Sequence, residues 1–307
     1  MLYTEARHQE LLAAIAAARG DVAAMLAALP RYRPQYIHKL GAMALLPAHT
    51  AVGNATTFID LGSGGDAAHE VGAIEAAAPE RITISEWAQP GSGVPCLQFE
   101  HLLVDPVVSG SYRTEVASYN DYFGPNQVGQ TLWCAKSIIP AAAPYALVAN
   151  GPGEDMIVGQ IHQNGSTLGH PPVLLVFDKV SGILRFRLHN WQTASTLVTR
   201  TLIDFGAAAT QVPVERYDVK FRVKFSQSNG FIDNIRVRRA ADLNDYSGGW
   251  VSVPGISGPT IGAGTTQLYI KDGIYRPGVK NGDVRVRSRG FYIAPTEYLV
   301  DALFQPR

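Results

Sequence analysis

Phe221-Arg222-Val223-Lys224-Phe225 alternates apolar against basic, and Val284-Arg285-Val286-Arg287 repeats the pattern later in the chain. Successive side chains on a β-strand point to opposite faces, so each stretch reads as a half-buried strand with its cations on one side. Working outward, short alternating or apolar runs recur between Gly, Pro, Asn and Asp. They are Arg81–Trp87, Cys96–Val104, Leu132–Ile139, Met156–His162, Val173–Phe177, Ile183–His189, Val219–Phe225, Phe231–Arg238, Gln267–Lys271 and Asp283–Arg289. Many short strands without a strand–helix–strand rhythm predict an all-β fold, a sandwich or jelly roll of two antiparallel sheets over residues 81–307. The two basic faces have two readings: a solvated sheet surface, or the floor of a groove for an anionic polymer.

Upstream of residue 81 the texture differs. Residues 1–35 read as a helical segment. Thr4 is the N-cap, Leu11, Leu12 and Ile15 share a face, and Gly20 is a stop. Asp21 then opens a second short helix that ends before Pro30. The apolar stripe is read as a docking or oligomerisation element. Residues 36–80 read as an irregular linker, with a loop at Gly62–Gly65 and a short helical turn within 67–78. The Gly cluster lacks a dinucleotide or phosphate-loop fingerprint.

Composition limits the function classes. Of 307 residues, 46% are hydrophobic, enough for a folded core. The 26 Lys plus Arg balance 26 Asp plus Glu, so the basic excess of a general nucleic-acid binder is missing. Cys96 and Cys134 are too few for a disulfide framework, lack metal-ligand spacing and read as buried thiols. No window holds the ~18 apolar residues of a membrane span. Glu5, Arg7, His8 and Glu10 interrupt the start, which does not resemble a secretory signal. The expectation is a virion-associated protein or one released by lysis, and otherwise a cytoplasmic one.

Three segments carry the chemistry: Ser111-Tyr112-Arg113-Thr114-Glu115, Gln160-Ile161-His162-Gln163 and Tyr269-Ile270-Lys271-Asp272-Gly273-Ile274-Tyr275-Arg276-Pro277. As strands, they put Arg113 with Glu115, Gln160 with His162, and Tyr269 with Lys271 and Tyr275. This set suits abstraction of the C5 proton of a uronic acid. Arg and a Gln amide neutralise the carboxylate where charge develops. His or tyrosinate takes the proton, and a Tyr hydroxyl protonates the departing oxygen at C4. A nearby cation such as Lys271 or Arg276 favours the phenolate of Tyr275.

These blocks resemble the signature segments of the jelly-roll polysaccharide lyases. Alginate lyases of that group carry an Arg-Thr/Ser-Glu block, a Gln-Ile-His block and a Tyr-Phe-Lys-x-Gly-x-Tyr block in this order. Asp105-Pro106 through Glu115 and Gly273 through Pro277 look closer to the heparin lyase I–like branch. The resemblance implies a concanavalin-like jelly roll acting on an acidic polysaccharide without metal or cofactor; the missing secretory signal and the N-terminal helices add the expectation of a phage virion-borne depolymerase of capsule or exopolysaccharide. It implies His162 as base and Tyr275 as acid, or Tyr275 in both roles, with Gln160 and Arg113 on the substrate carboxylate. Substrate binding then falls to Lys271, Tyr269, Glu115, Arg276, His189 and Trp191. Glu115 orients Arg113, and Trp191 reads either as a ring that stacks on a sugar or as a core residue.

The alternative is a non-catalytic carbohydrate-binding or virion receptor-binding protein on the same fold. A glycoside hydrolase needs two facing carboxylates, and Glu154-Asp155 sits in a Gly/Pro-flanked loop, a poor place for them. A serine hydrolase lacks its G-x-S-x-G turn. His170, before two prolines, reads as loop.

Overall fold

The structure, a computed structural model, describes residues 73–77, 81–87, 95–108, 110–118, 128–142, 155–277, 282–294, 296–301 and 304. The N-terminal helices read from the sequence lie outside these residues. In chain order the strands are β1 (Ala73–Glu75), β2 (Ile82–Glu86), β3 (Pro95–His101), β4 (Tyr112–Ser118), β5 (Thr131–Pro140), β6 (Met156–Asn164), β7 (Val173–Val180) and β8 (Ile183–Trp191). They continue with β9 (Leu197–Asp204), β10 (Arg216–Lys224), β11 (Phe231–Ala240), β12 (Val251–Val253), β13 (Ile256–Ser257), β14 (Gln267–Arg276) and β15 (Val284–Ala294). One short helix, α1 (Glu297–Asp301), follows β15.

The strands form two antiparallel sheets stacked as a jelly-roll sandwich. The front sheet runs β1-β4-β14-β6-β7-β8-β9, and the back sheet runs β12-β11-β10-β5-β15-β3-β2 with β13 on β11. The ten runs read from the sequence correspond to ten of these strands. Reading missed β9, whose Thr199, Arg200 and Thr201 interrupt the apolar pattern of an edge strand, and the very short β12 and β13. It also misplaced the start of the sheet. Ala73–Glu75 pairs with β4 through Ala73↔Ala117 and Glu75↔Glu115. Over residues 73–75 a strand therefore stands where linker and a helical turn were expected, because sheet pairing overrides the local Ala-rich preference.

Between the sheets lies one continuous apolar core. Phe177 stacks on Phe186 at 4.5 Å, and Tyr217 meets Phe177 edge-on at 5.8 Å. Cys96 and Cys134 are free and buried. Burial with no charge partner pushes the Cys134 thiol well above its usual range.

A charged tie crosses the core. Lys136 of β5 forms a buried ion pair with Asp272 of β14, and Ser288 of β15 donates to the other Asp272 oxygen at 2.8 Å. The Lys136 ammonium also donates to Ser288 at 2.9 Å. Burial holds the Lys136 pKa below its normal value against the pull of Asp272. Gly159 of β6 makes room for this stem, since a Cβ there would lie 2.9 Å from Lys136 Cδ and 3.4 Å from Phe291.

The basic alternations face away from the front sheet. Arg222 is bound by Asp233 at 2.6–2.8 Å, and Arg285 pairs with Glu100. Lys220 meets Glu297 and Asp301 of α1 at 2.8 and 2.7 Å. Beneath α1, Val300 and Phe304 pack on Ala135 and Tyr292, flanked by Trp133 and Trp250. The groove-floor reading of 221–225 and 284–287 is therefore corrected. Arg222, Lys220 and Arg285 are held by carboxylates of the protein itself.

Replacing one partner of the internal tie strands a charge in the core. Lys136→Met is expected to cost about 3–5 kcal/mol in urea unfolding. Lys136→Met combined with Asp272→Leu is expected to recover much of that loss, because no orphan charge remains.

Candidate active site

The outer face of the front sheet is concave and holds a cleft of about 340 Å³. Its lining comes from successive strands: Arg113 on β4, Lys271 and Tyr275 on β14, and Ile157, Gln160 and His162 on β6. Leu174 and Val176 on β7, His189 and Trp191 on β8, and Leu197 at β9 complete the width. Six of the strands contribute, and adjacent strands lie about 4.8 Å apart.

Two irregularities set which residues meet. Between β6 and β7 the register slips at Ile157/Gly159, so Val158 and Gly159 both turn to the core. Ile157 and Asp155 thereby join Gln160 and His162 on the cleft side, although strict alternation puts them on opposite faces. Between β14 and β6 the register slips between Asp272 and Tyr275. Gly273 sits there with φ +140, and a Cβ would press on the Thr114 carbonyl and lie 2.7 Å from Glu115 Cα. Only glycine fits such a backbone.

Glu115 organises the polar half. It is buried, and its carboxylate accepts a hydrogen bond from the Gln160 amide. The same carboxylate lies 3.7 Å from Arg113 Nη1 and 4.0 Å from Lys271 Nζ. Two cations thus share one carboxylate, leaving this end net positive. Arg113 also lies over the Tyr275 ring, 4.6 Å from its centroid, and Ser111 Oγ is 3.2 Å from the phenol oxygen. Tyr275 packs on Ile157, Leu174 and Val176.

His162 is fixed from two sides. Its ring stacks on Tyr269 at 4.8 Å and 21°. Its Nδ1 accepts the Gln163 amide N–H at 2.9 Å and lies 3.2 Å from the Gln163 carbonyl. The backbone thus holds Nδ1, and the ring lines the cleft.

The structure thus brings together Arg113, Gln160, His162, Lys271, Tyr275, His189 and Trp191. Three expected residues stand elsewhere. Tyr269 is buried behind His162 and does not line the cleft. Glu115 lies below the floor. Arg276, 2% exposed, alternates to the opposite face and donates to the Gly282 carbonyl at 3.0 Å. The cation nearest Tyr275 is therefore Arg113, not its sequence neighbour.

At the far end of the cleft, sequence reading named His189 and Trp191 but missed Arg187 and Asp178. Arg187 Nη1 donates to Asp178 at 2.7 Å, and His189 Nε2 lies 3.5 Å from the same carboxylate oxygen. Among the described residues, Asp178 Oδ1 and His189 Nε2 make no hydrogen bond. Burial raises the Asp155 pKa, and the Asp178 charge adds to the rise, with His189 and Arg187 opposing it. At the rim, His170 stacks on Trp191 at 4.4 Å and 19°. The signal was present in β8, where Arg187, His189 and Trp191 fall at every second position. No group of three or more His, Cys, Asp or Glu among the described residues is placed to hold a metal ion.

No protein-family model and no curated relative matches the chain. Solved structures do resemble it. An endo-β-1,4-glucuronan lyase from the fungus Trichoderma reesei aligns at TM-score 0.48 and 12% identity, over 74% of this chain and 91% of that one. An alginate lyase from Klebsiella pneumoniae aligns at 0.45 and 12%, over 71% and 85%. One from Pseudomonas aeruginosa aligns at 0.41 and 14%, over 72% and 96%. Each name states what that neighbour acts on.

The charge at Asp155 carries a stability signature. A carboxyl whose folded pKa is raised destabilises the fold above that pKa, and the effect fades as pH falls toward the ordinary value of 3.8. Asp155→Asn is therefore expected to raise the thermal midpoint at neutral pH. In melts recorded across pH, the gain should shrink toward zero near pH 3.8.

Proposed function

We propose that the chain cleaves a uronate-containing polysaccharide by β-elimination. The observation that carries this reading is the gathering of Arg113, Gln160 and Lys271 around Glu115, beside Tyr275 and His162 on one sheet face. A surplus positive charge at that point suits a substrate carboxylate, and Arg113 and the Gln160 amide stabilise the charge that grows on it when C5 loses its proton. The C5–H electron pair passes into the carboxylate as an enolate. It then returns to form the C4–C5 double bond as the C4–O bond breaks, and the departing oxygen takes a proton.

Tyr275 suits both proton transfers, as phenolate base toward C5 and then as phenol toward the leaving oxygen. The backbone contact of His162 favours this assignment. An amide N–H only donates, so the 2.9 Å bond from Gln163 asks Nδ1 to accept. That tautomer carries its proton on Nε2, which then donates to the substrate rather than taking a proton from it. The opposite tautomer, with Nδ1 donating to the Gln163 carbonyl, makes His162 the base.

The test is ultraviolet absorbance of the new double bond over a panel of uronate polymers. Tyr275→Phe is expected to lower kcat by at least 10²-fold. His162→Gln keeps a donor but no base, and should retain activity within about tenfold if Tyr275 does both transfers. A base at His162 predicts a loss of about 10²–10⁴-fold instead. Polymer binding without double-bond formation on any substrate, unchanged by both variants, sinks the enzyme and leaves a carbohydrate-binding protein. As a wider setting we propose a virion-borne depolymerase, supported by the apolar stripe read in residues 1–35.

A further inference from the structure

We infer that Asp155 and Trp191, with Asp178 buried behind them, form a subsite for a neutral sugar and exclude a second uronate, so that the ligand is a heteropolymer spacing its uronates with uncharged residues. This rests on the lyase reading for the uronate half of the cleft. The two halves differ in charge. At β4, β14 and β6, two cations surround one carboxylate. Toward β7 and β8 the balance reverses. Asp178 holds the guanidinium of Arg187 and lies 3.5 Å from the imidazole of His189, and a second carboxylate, Asp155, lines the cleft at this end.

Burial sharpens this asymmetry. Desolvation and the Asp178 charge both raise the Asp155 pKa. A further carboxylate brought into that half would meet the same repulsion with little water to screen it. Among the described residues the cation within reach, Arg187, is already bonded to Asp178. The floor between the halves is apolar, built of Ile157, Leu174 and Val176, with Trp191 packed against it. Trp191 is itself propped by His170. A flat aromatic beside an aliphatic floor fits the C–H face of a neutral pyranose, while the Asp155 carboxylate at the lining accepts from a hydroxyl. A homopolymer of uronates would put a charge on every ring crossing this floor.

Binding separates this from the chemistry. The Tyr275→Phe chain would be titrated, with tryptophan fluorescence as readout, against hexasaccharides of three polymers. Glucuronan is uronate throughout, whereas hyaluronan and unsulfated chondroitin alternate glucuronate with N-acetylhexosamine. At least one alternating fragment is expected to bind tenfold or more tightly than the glucuronan fragment. Trp191→Ala, followed by calorimetry, should erase that preference. Asp155→Asn should improve glucuronan binding several-fold and leave the alternating fragments little changed. Glucuronan binding as tight as the alternating fragments, or no binding of any, overturns the subsite. Double-bond formation by the wild-type chain is scored separately. Elimination without the preference keeps the lyase and discards the subsite. The preference without elimination keeps the subsite and discards the lyase.

Discussion

The buried tie between Lys136 and Asp272 couples the two sheets at their middle strands, and the cleft is built on its far side. Two charges inside an apolar core are tolerated only when each is met, and here Ser288 completes the set. The tie fixes β14 through Asp272. Its chain neighbour Lys271 lines the cleft and approaches Glu115. Gly159, whose missing side chain admits the Lys136 stem, is also where β6 slips its register. One electrostatic constraint in the core thus sets the position of two of the strands that carry polar cleft residues.

Glu115 plays the corresponding part on the outer face. A buried carboxylate needs donors, and three different strands meet around it: Arg113 from its own β4, Gln160 from β6 and Lys271 from β14. The side chains assigned to the substrate carboxylate are therefore held by a charge that does not line the cleft. Such preorganisation is what electrostatic stabilisation of a developing anion requires, because the groups need not move when charge appears. The opposite end follows different rules, with carboxylates crowded beside an apolar floor.

The back sheet shows why a row of cations is a poor guide to a binding face. Along β10 and β15 every second residue is polar, as on a solvated strand. The protein covers part of that face with α1 and the segment before β12. Asp218 collects Arg216, Arg238 and Ser137, while Glu297 and Asp301 take Lys220. Glu297 and Asp301 are distant in sequence from Lys220, so that pairing is invisible until the chain folds.

The sequence by itself determined the all-β class, most of the strands and the three polar blocks, because alternation and turn residues are local properties with period two. It also put Arg113, Gln160, His162, Lys271 and Tyr275 on faces that turn out to be shared, and Trp191 and His189 beside them. Tertiary structure decided everything that depends on register. The slip at Val158 and Gly159 brought Asp155 and Ile157 to the cleft, β1 joined the sheet from a stretch that reads as linker, and alternation after Tyr275 turned Arg276 away. His170 became part of the cleft only because Trp191 offers it a ring to stack on. Bulges, strand pairing and ion pairs between distant strands are long-range choices, and their energies depend on partners that a single stretch of chain does not contain.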